Sequence, residues 1–277
     1  MDQKNTPLVS VIMPVYNGER YITEAVNSIL NQTYSYFELI IINDGSTDNT
    51  ATILDQFATA DGRIHVLTNP KPMGKAGDLA KELGIQHAKG QFIAIMDADD
   101  ISKPQRLERQ LDFLNTHPDI FLCGAWAEYI DGNGSVFLDW KPDTEHTQIV
   151  SNLYLKNSII HPTFFFRNIV RQKPFYETKY TWYNDYYTQL KLIKEGKKLA
   201  NVPEVLLSYR VSGDSSTQTG IKKKVNEYFQ IRKEVAQYGP TRPSLMQRLV
   251  VLAQFIGITY LPEKLVLRFH PIFKKTV

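Results

Sequence analysis

Leu39-Ile40-Ile41-Ile42-Asn43-Asp44-Gly45-Ser46 sets four β-prone apolar residues in a row and then turns polar. A half-exposed strand alternates apolar with polar residues, whereas an unbroken apolar run is buried on both faces, the pattern of a parallel sheet covered by helices. Outward from this stretch, similar runs recur at Val9 to Met13, Ile64 to Leu67 and Phe92 to Met96. Between them the period lengthens to that of a helix. Ile22, Val26, Ile29 and Leu30 share one face of Glu19 to Leu30, a second helix follows the cap candidates Ser46 and Thr47, and a third covers about Ala76 to His87. The order βαβαβαβ predicts an α/β fold with a mostly parallel sheet sandwiched by helices.

Farther on, a helix is expected from Pro104 to about Thr116. The turn Asp131-Gly132-Asn133-Gly134, between Tyr129-Ile130 and Val136-Phe137-Leu138, predicts a hairpin that makes the sheet mixed. A helix over about Asp185 to Glu195, stopped by Gly196, precedes the strand Val205 to Tyr209. Gly213 to Gly220 reads as a loop, and Lys222 to Tyr238 returns to helix.

The 277 residues, 43% hydrophobic and 22% charged, suffice for one large domain or a domain with an appendage. Cys123 is the single cysteine, which excludes an internal disulfide framework and, set in Phe121-Leu122-Cys123-Gly124, reads as a core residue. The polar opening Met1 to Asn5 predicts no secretory leader and a cytoplasmic setting. Of the net charge of +3, the excess lies in residues 241–277, where six cations face only Glu263. The near-neutral body argues against nucleic acid as a partner.

In an open parallel sheet, ligands bind beyond the carboxyl ends of the strands. Three strand ends there are polar: Pro14-Val15-Tyr16-Asn17-Gly18-Glu19, Asn43-Asp44-Gly45-Ser46 and Asp97-Ala98-Asp99-Asp100. The last cluster reads either as a site for Mg²⁺ or Mn²⁺, which take one or two carboxylates and complete their shell with phosphate oxygens, or as a capping loop ahead of Pro104. Asp44 reads either as a turn residue or as a carboxylate accepting from the ring N–H of uracil, thymine or guanine. Asn17 and Glu19 are open in the same way, between ribose or base contacts and helix capping. Lys75 is either a phosphate partner or a solvated lysine. Rival nucleotide motifs fail: Met73-Gly74-Lys75-Ala76 lacks the other residues of a P-loop, and no G-x-G-x-x-G follows the first strand.

Together, Pro14 to Glu19, Asn43 to Asp48, Ala88-Lys89-Gly90 and Met96 to Asp100 followed by Pro104 and Arg106-Leu107 resemble the inverting family 2 glycosyltransferases of the GT-A fold. The likeness is close over residues 8–125 and looser to about 217. It implies a nucleotide-diphospho-sugar transferase fold whose donor pocket takes in Pro14, Val15, Tyr16, Asn17, Glu19, Lys75 and Ala98. In that pocket Asp44 would read the base, Asp97 support the ribose, and Asp99, with Asp97 beside it, hold the metal. It further implies that Asp185, in Trp182-Tyr183-Asn184-Asp185, is the catalytic base, with Asn184 standing where the family has glutamate. His161, Asn184 and Arg210 fall on the acceptor side. Ser212 replaces a histidine that often follows the family's Tyr-Arg pair, and Glu82 replaces its usual asparagine.

The resemblance thus predicts a catalytic domain over 1–217, with a nucleotide-sugar half over 8–125 and an acceptor half over 126–217, and a helical extension over 218–277. The expected activity is that of a hexosyltransferase. It would move a sugar from a UDP-, dTDP- or GDP-sugar to a hydroxyl of a glycan or lipid-linked acceptor in surface polysaccharide, lipopolysaccharide or cell-envelope synthesis. A sugar-nucleotide nucleotidyltransferase or a non-catalytic nucleotide-sugar binder are the alternatives. Leu249 to Leu261 is strongly apolar, but at ~1.5 Å per residue it reaches only about 20 Å, short of a ~30 Å bilayer core. With its basic flanks it reads either as an in-plane helix on an anionic membrane surface, at the inner face of the cell membrane, or as a helix packed on protein.

Overall fold

The computed structural model describes residues 6–169, 174–211 and 221–260. The expected loop Gly213 to Gly220, Ser212 and the tail from residue 261 lie outside the described residues.

Among the described residues nine strands form one sheet. β1 (Val9–Val15) pairs in parallel with β2 (Phe37–Asn43) on one side and β4 (Phe92–Ile95) on the other, and β2 pairs in parallel with β3 (Ile64–Thr68). The apolar runs that predicted this half are buried along their whole length in β2 and β4. Beyond β4 the sheet becomes mixed. β8 (Phe165–Arg167) runs antiparallel between β4 and β6 (Ile120–Ile130), β6 is parallel to β9 (Lys198–Arg210), and β5 (Ile101–Ser102) closes the edge antiparallel to β9. The predicted hairpin joins β6 to β7 (Val136–Trp140). Because β6 runs through residue 125, the two halves expected from the sequence share one continuous sheet.

Alternation along β1 divides the core. Val9, Val11, Met13 and Val15 pack with Ile22, Val26 and Ile29 of α1 (Ile22–Leu30), Leu54 of α2 (Thr50–Ala60) and Leu107 of α4 (Arg106–Thr116). Ile12 points to the other face, toward Ala80 and Ile85 of α3 (Asp78–His87), Ile149 of α5 (His146–Asn152), Leu190 of α6 (Asn184–Lys194) and Ile231 of α7 (Ile221–Tyr238). Gly196, at φ +75°, ends α6 as expected: its N–H donates to the Ile193 carbonyl and that of Lys197 to the Leu192 carbonyl. Cys123 is a buried core residue. The expected caps Ser46 and Thr47 do not cap α2, which begins after Asn49. They lie in the loop before it and bond to Asn17 instead.

α8 (Leu245–Tyr260) follows α7. Among the described residues no helix is long and apolar enough to cross a membrane.

Candidate active site

The order of β3, β2, β1 and β4 reverses direction at β1, and the loops after β1 and β4 flank that switch. Tyr16 stands at the mouth, 53% exposed. Asn17 turns the chain at φ 49°. Its N–H donates to Ser46 Oγ (3.0 Å) and its Oδ1 accepts from the Thr47 N–H (2.8 Å). Glu19 Oε2 accepts from the N–H of Asn49 at 2.9 Å, tying down the start of α2. The side-chain oxygens of Asn17 and Glu19 therefore knit the β1–α1 loop to the β2–α2 loop, just beyond Pro14 and Val15 at the end of β1.

Asp44 is buried, and its carboxylate accepts from Asn69 Nδ2 (2.8 Å) and the Met73 N–H (3.0 Å). The loop after β3 thus lies against the candidate base reader. It then passes through four successive positive φ angles, at Gly74, Lys75, Ala76 and Gly77. For Lys75 and Ala76 that conformation costs roughly 1–2 kcal/mol each, strain of the kind found where a backbone is shaped for a ligand.

After β4 the chain carries Asp97, Ala98, Asp99 and Asp100. Lys81, 4% exposed, places Nζ 3.2 Å from Asp97 Oδ1. Burial works against both charges, but their attraction holds the Asp97 carboxyl below its ordinary range and Lys81 above its own. Burial, then the neighbouring Asp97, pushes Asp99 up to about 6. Asp100 is buried and raised further, chiefly by burial and then by Asp99; one of its oxygens accepts from the Arg210 N–H at 2.8 Å.

Two buried arginines hold this loop from behind. Arg106 donates to the Ile95 carbonyl (2.7 Å) and Gln110 Oε1 (3.0 Å), and burial pulls it down only to about 10, so it stays charged. Arg210, expected on the acceptor side, has a side chain 2% exposed. Its guanidinium donates to the Asp99 carbonyl (2.7 Å), the Asp131 carbonyl (3.2 Å) and Glu24, and lies over the Tyr21 ring. It is turned into the protein and anchors the acidic loop to α1 and the hairpin turn.

Across from that loop, α6 opens with Asn184 and Asp185. Burial pushes Asp185 up to about 6, and Asn157 Nδ2 donates to its Oδ2 at 2.8 Å. Asn184 is fully buried and donates to Asp78 Oδ2 at 2.9 Å, so it braces the site from below. Asp78, at the start of α3, is driven up to about 7 by burial against the pull of Lys81. His161 Nε2 lies 2.7 Å from the Tyr176 hydroxyl. Burial, then Lys81, drops its imidazole to about 3, so it is neutral and offers phosphate no positive charge. Glu82 Oε2 accepts from the N–H groups of Phe175 and Tyr176, fixing that segment rather than the donor loops.

Asp97 and Asp185 thus both act on Lys81, with Asp99 next to Asp97, while the loop that leads into α3 carries Lys75 and packs on Asp44. Asp78 and Lys81 are the members that the motifs did not reveal, while Arg106 stood in the Pro104 and Arg106-Leu107 motif and takes its role from its bonds to Ile95 and Gln110. The signal was there: Asp78 and Lys81 take helix positions in register with buried Ile85, where an amphipathic helix normally carries apolar side chains.

The acidic loop fits a divalent cation. Burial and Asp97 disfavour the Asp99 anion, a condition a cation relieves. Among the described residues no three His, Cys, Asp or Glu side chains form a cage, and a Mg²⁺ or Mn²⁺ ion on one or two carboxylates takes the rest of its shell from water or phosphate oxygens.

The sequence model of Glycosyl transferase family 2 matches residues 10–175. Over 252 residues the chain is 31% identical to the Escherichia coli UDP-Glc:alpha-D-GlcNAc-diphosphoundecaprenol beta-1,3-glucosyltransferase WfgD, covering 91% of this chain and 93% of the relative. In fold it is similar to Staphylococcus aureus TarS 1–349 solved in complex with UDP-GlcNAc, with a TM-score of 0.63 and 17% identity over 84% of this chain and 68% of that one. The Pyrobaculum calidifontis mannosyltransferase PcManGT, in complex with GDP-Man and Mn²⁺, matches with a TM-score of 0.60 and 16% identity over 98% of this chain and 86% of that one. The α/β architecture is that of the GT-A transferases.

Proposed function

Because the chain belongs to glycosyl transferase family 2 and is therefore a glycosyltransferase, we propose that it moves a sugar from a UDP-, dTDP- or GDP-sugar to an acceptor hydroxyl with inversion. The observation that carries this reading is the bridge from α6 to the acidic loop: Asn184, beside Asp185, bonds to Asp78 of α3 at 2.9 Å, and Lys81 one turn on in α3 pairs with Asp97 at 3.2 Å, although α6 lies far down the chain. In the reaction, Asp185 takes the proton from the acceptor hydroxyl as its oxygen bonds to the anomeric carbon. The bond from that carbon to the diphosphate breaks on the opposite face, and the diphosphate leaves with the electron pair. A carboxyl poised at about 6 is mostly ionised at neutral pH yet basic enough to accept a proton.

The donor would lie with its base at Asp44 and its ribose at Asp97, which Lys81 keeps ionised. Mg²⁺ or Mn²⁺ on Asp99 and the diphosphate would supply the positive charge that stabilises the leaving group. Pro14, Val15, Tyr16, Ala98 and Lys75 would border the donor, and His161 and Asn184 the acceptor side.

Residues 1–217 make up the catalytic unit in this reading, with 218–277 as an extension. The acceptor is a cell-envelope glycan or its lipid-linked precursor, reached in the cytoplasm or at the inner face of the membrane; the diphosphoundecaprenol in the WfgD name supports that class. Family membership gives no support to the nucleotidyltransferase and pure-binder alternatives. The test is incubation with a panel of UDP-, dTDP- and GDP-sugars, with Mn²⁺ or with EDTA, scored by released nucleoside diphosphate. Metal-dependent release from one base class is expected, and its loss in Asp99→Ala; release from none of the panel would sink the proposal.

A further inference from the structure

α8 is inside out. The side chains it turns to the protein are Gln247, Val251 and Gln254, spaced along one helical face. Gln254 Oε1 accepts from buried Arg232 at 2.7 Å, and Gln247 Nε2 donates to the Ser151 carbonyl at 3.0 Å. The opposite face carries Leu245 (75% exposed), Met246 (69%), Leu249 (51%), Leu252 (53%) and Ile256 (49%), while Phe255 stands at its border, half-exposed and edge-on to Phe229 of α7. An ordinary surface helix buries the second set and shows the first. A contiguous apolar strip of this kind marks a contact with another apolar phase.

Charge identifies that phase. Arg242 and Arg248 edge the strip, residues 239–262 contain no acid, and four more cations follow by residue 275. A second copy seated on the strip about a two-fold axis would bring the same cations together with no carboxylate to meet them. An anionic lipid surface satisfies both the apolar face and the arginines. We infer that α8 is an in-plane membrane-docking helix, its Leu249 and Leu252 face sunk into the acyl boundary of an anionic leaflet and Arg242 and Arg248 at the headgroups. Its 16 residues reach about 24 Å at ~1.5 Å per residue, too short to cross. The glutamine face fixes which side of the catalytic body meets the lipid. This surface stands apart from the donor site and does not rest on the proposed reaction.

The experiment is co-flotation of the full chain with phosphatidylcholine vesicles, with and without phosphatidylglycerol, read beside light scattering for oligomeric state. Binding to the anionic vesicles only is expected. Leu249→Glu with Leu252→Glu should lower it at least about tenfold. Arg242→Glu with Arg248→Glu should lower it by about 30-fold or more, the factor two surface arginines contribute. Both variants should keep the wild-type thermal melt and its rate of nucleotide-sugar hydrolysis. A wild-type protein that forms dimers broken by the leucine substitutions, and ignores vesicles, would assign the strip to a second copy and overturn the inference. A monomer that floats with neither vesicle would overturn it as well, leaving the strip to the chain's own residues after 260.

Discussion

Asn184 Nδ2 donates to Asp78 Oδ2 at 2.9 Å, joining the first turn of α6 to the first turn of α3. The amide meets a buried carboxyl group that an ionised glutamate at this position could not approach without repulsion. The two positions form a matched pair, acid on α3 and amide on α6. Asn184→Glu should therefore destabilise the chain by about 3 kcal/mol, the cost of a buried charge without a partner. Asp78→Ala in the same chain should restore at least half of that loss, because the repelling carboxyl is gone. Urea denaturation of the two single variants and the double variant checks the coupling; additive effects would mean the pair acts independently.

Stability should fall as pH rises across the neutral range. Asp78, Asp99 and Asp185 titrate at about 7, about 6 and about 6 in the folded chain, against about 3.9 for an unfolded aspartate. The folded state thus holds more protons between these limits. The stabilisation is complete below about pH 4 and lost as pH passes through 6 to 7. For fully buried Asp78 the change is on the order of 4 kcal/mol. The metal-free melting temperature should be higher at pH 5 than at pH 8, with a flatter profile in Asp78→Asn. A melting temperature that climbs over this window would contradict the assignment.

Transfer should respond to pH in the opposite sense. In its proposed role as base, Asp185 must be ionised, so kcat/KM should rise about tenfold per pH unit below 6 and level off above it. Asp185→Asn should lose at least about a hundredfold in kcat while keeping donor affinity, measured by calorimetry with a nonhydrolysable donor. An unchanged kcat would move the base elsewhere.

Much of this was legible in the sequence where a single chemical pattern decides the outcome. Unbroken apolar runs such as Leu39 to Ile42 require two covered faces, and Asp131-Gly132-Asn133-Gly134 admits little but a turn. The three-residue β8 and two-residue β5 were not legible, because strands so short owe their pairing to β4, β6 and β9 rather than to their own residues. Within the candidate site, Asp44, Asp97, Asp99 and Asp185 were singled out by position after strands or by motif. Asp78 and Lys81 did not, since their meaning depends on which face of α3 turns inward. Arg210 shows the remaining limit: the resemblance put it on the acceptor side, and only the packing of β9 beside β5 brings its guanidinium behind the acidic loop.

That placement of Arg210 yields the sharpest test of site organisation. Its guanidinium ties the Asp99 carbonyl, the Asp131 carbonyl and Glu24 together, and its Nε bond to Asp99 sets where the side chain proposed to hold the metal starts. Arg210→Lys keeps the charge but loses the planar fork that reaches three partners at once. It should cost about 2–3 kcal/mol in urea denaturation, since a buried network loses its donors. It should also raise the Mn²⁺ concentration needed for half-maximal activity by roughly tenfold, as expected when a residue orienting a metal ligand is removed. The acceptor KM should move far less, because the side chain is 2% exposed and faces away from the cleft. Were Arg210 instead an acceptor contact, the lysine variant would raise acceptor KM while leaving both stability and the metal titration as they are in the wild type.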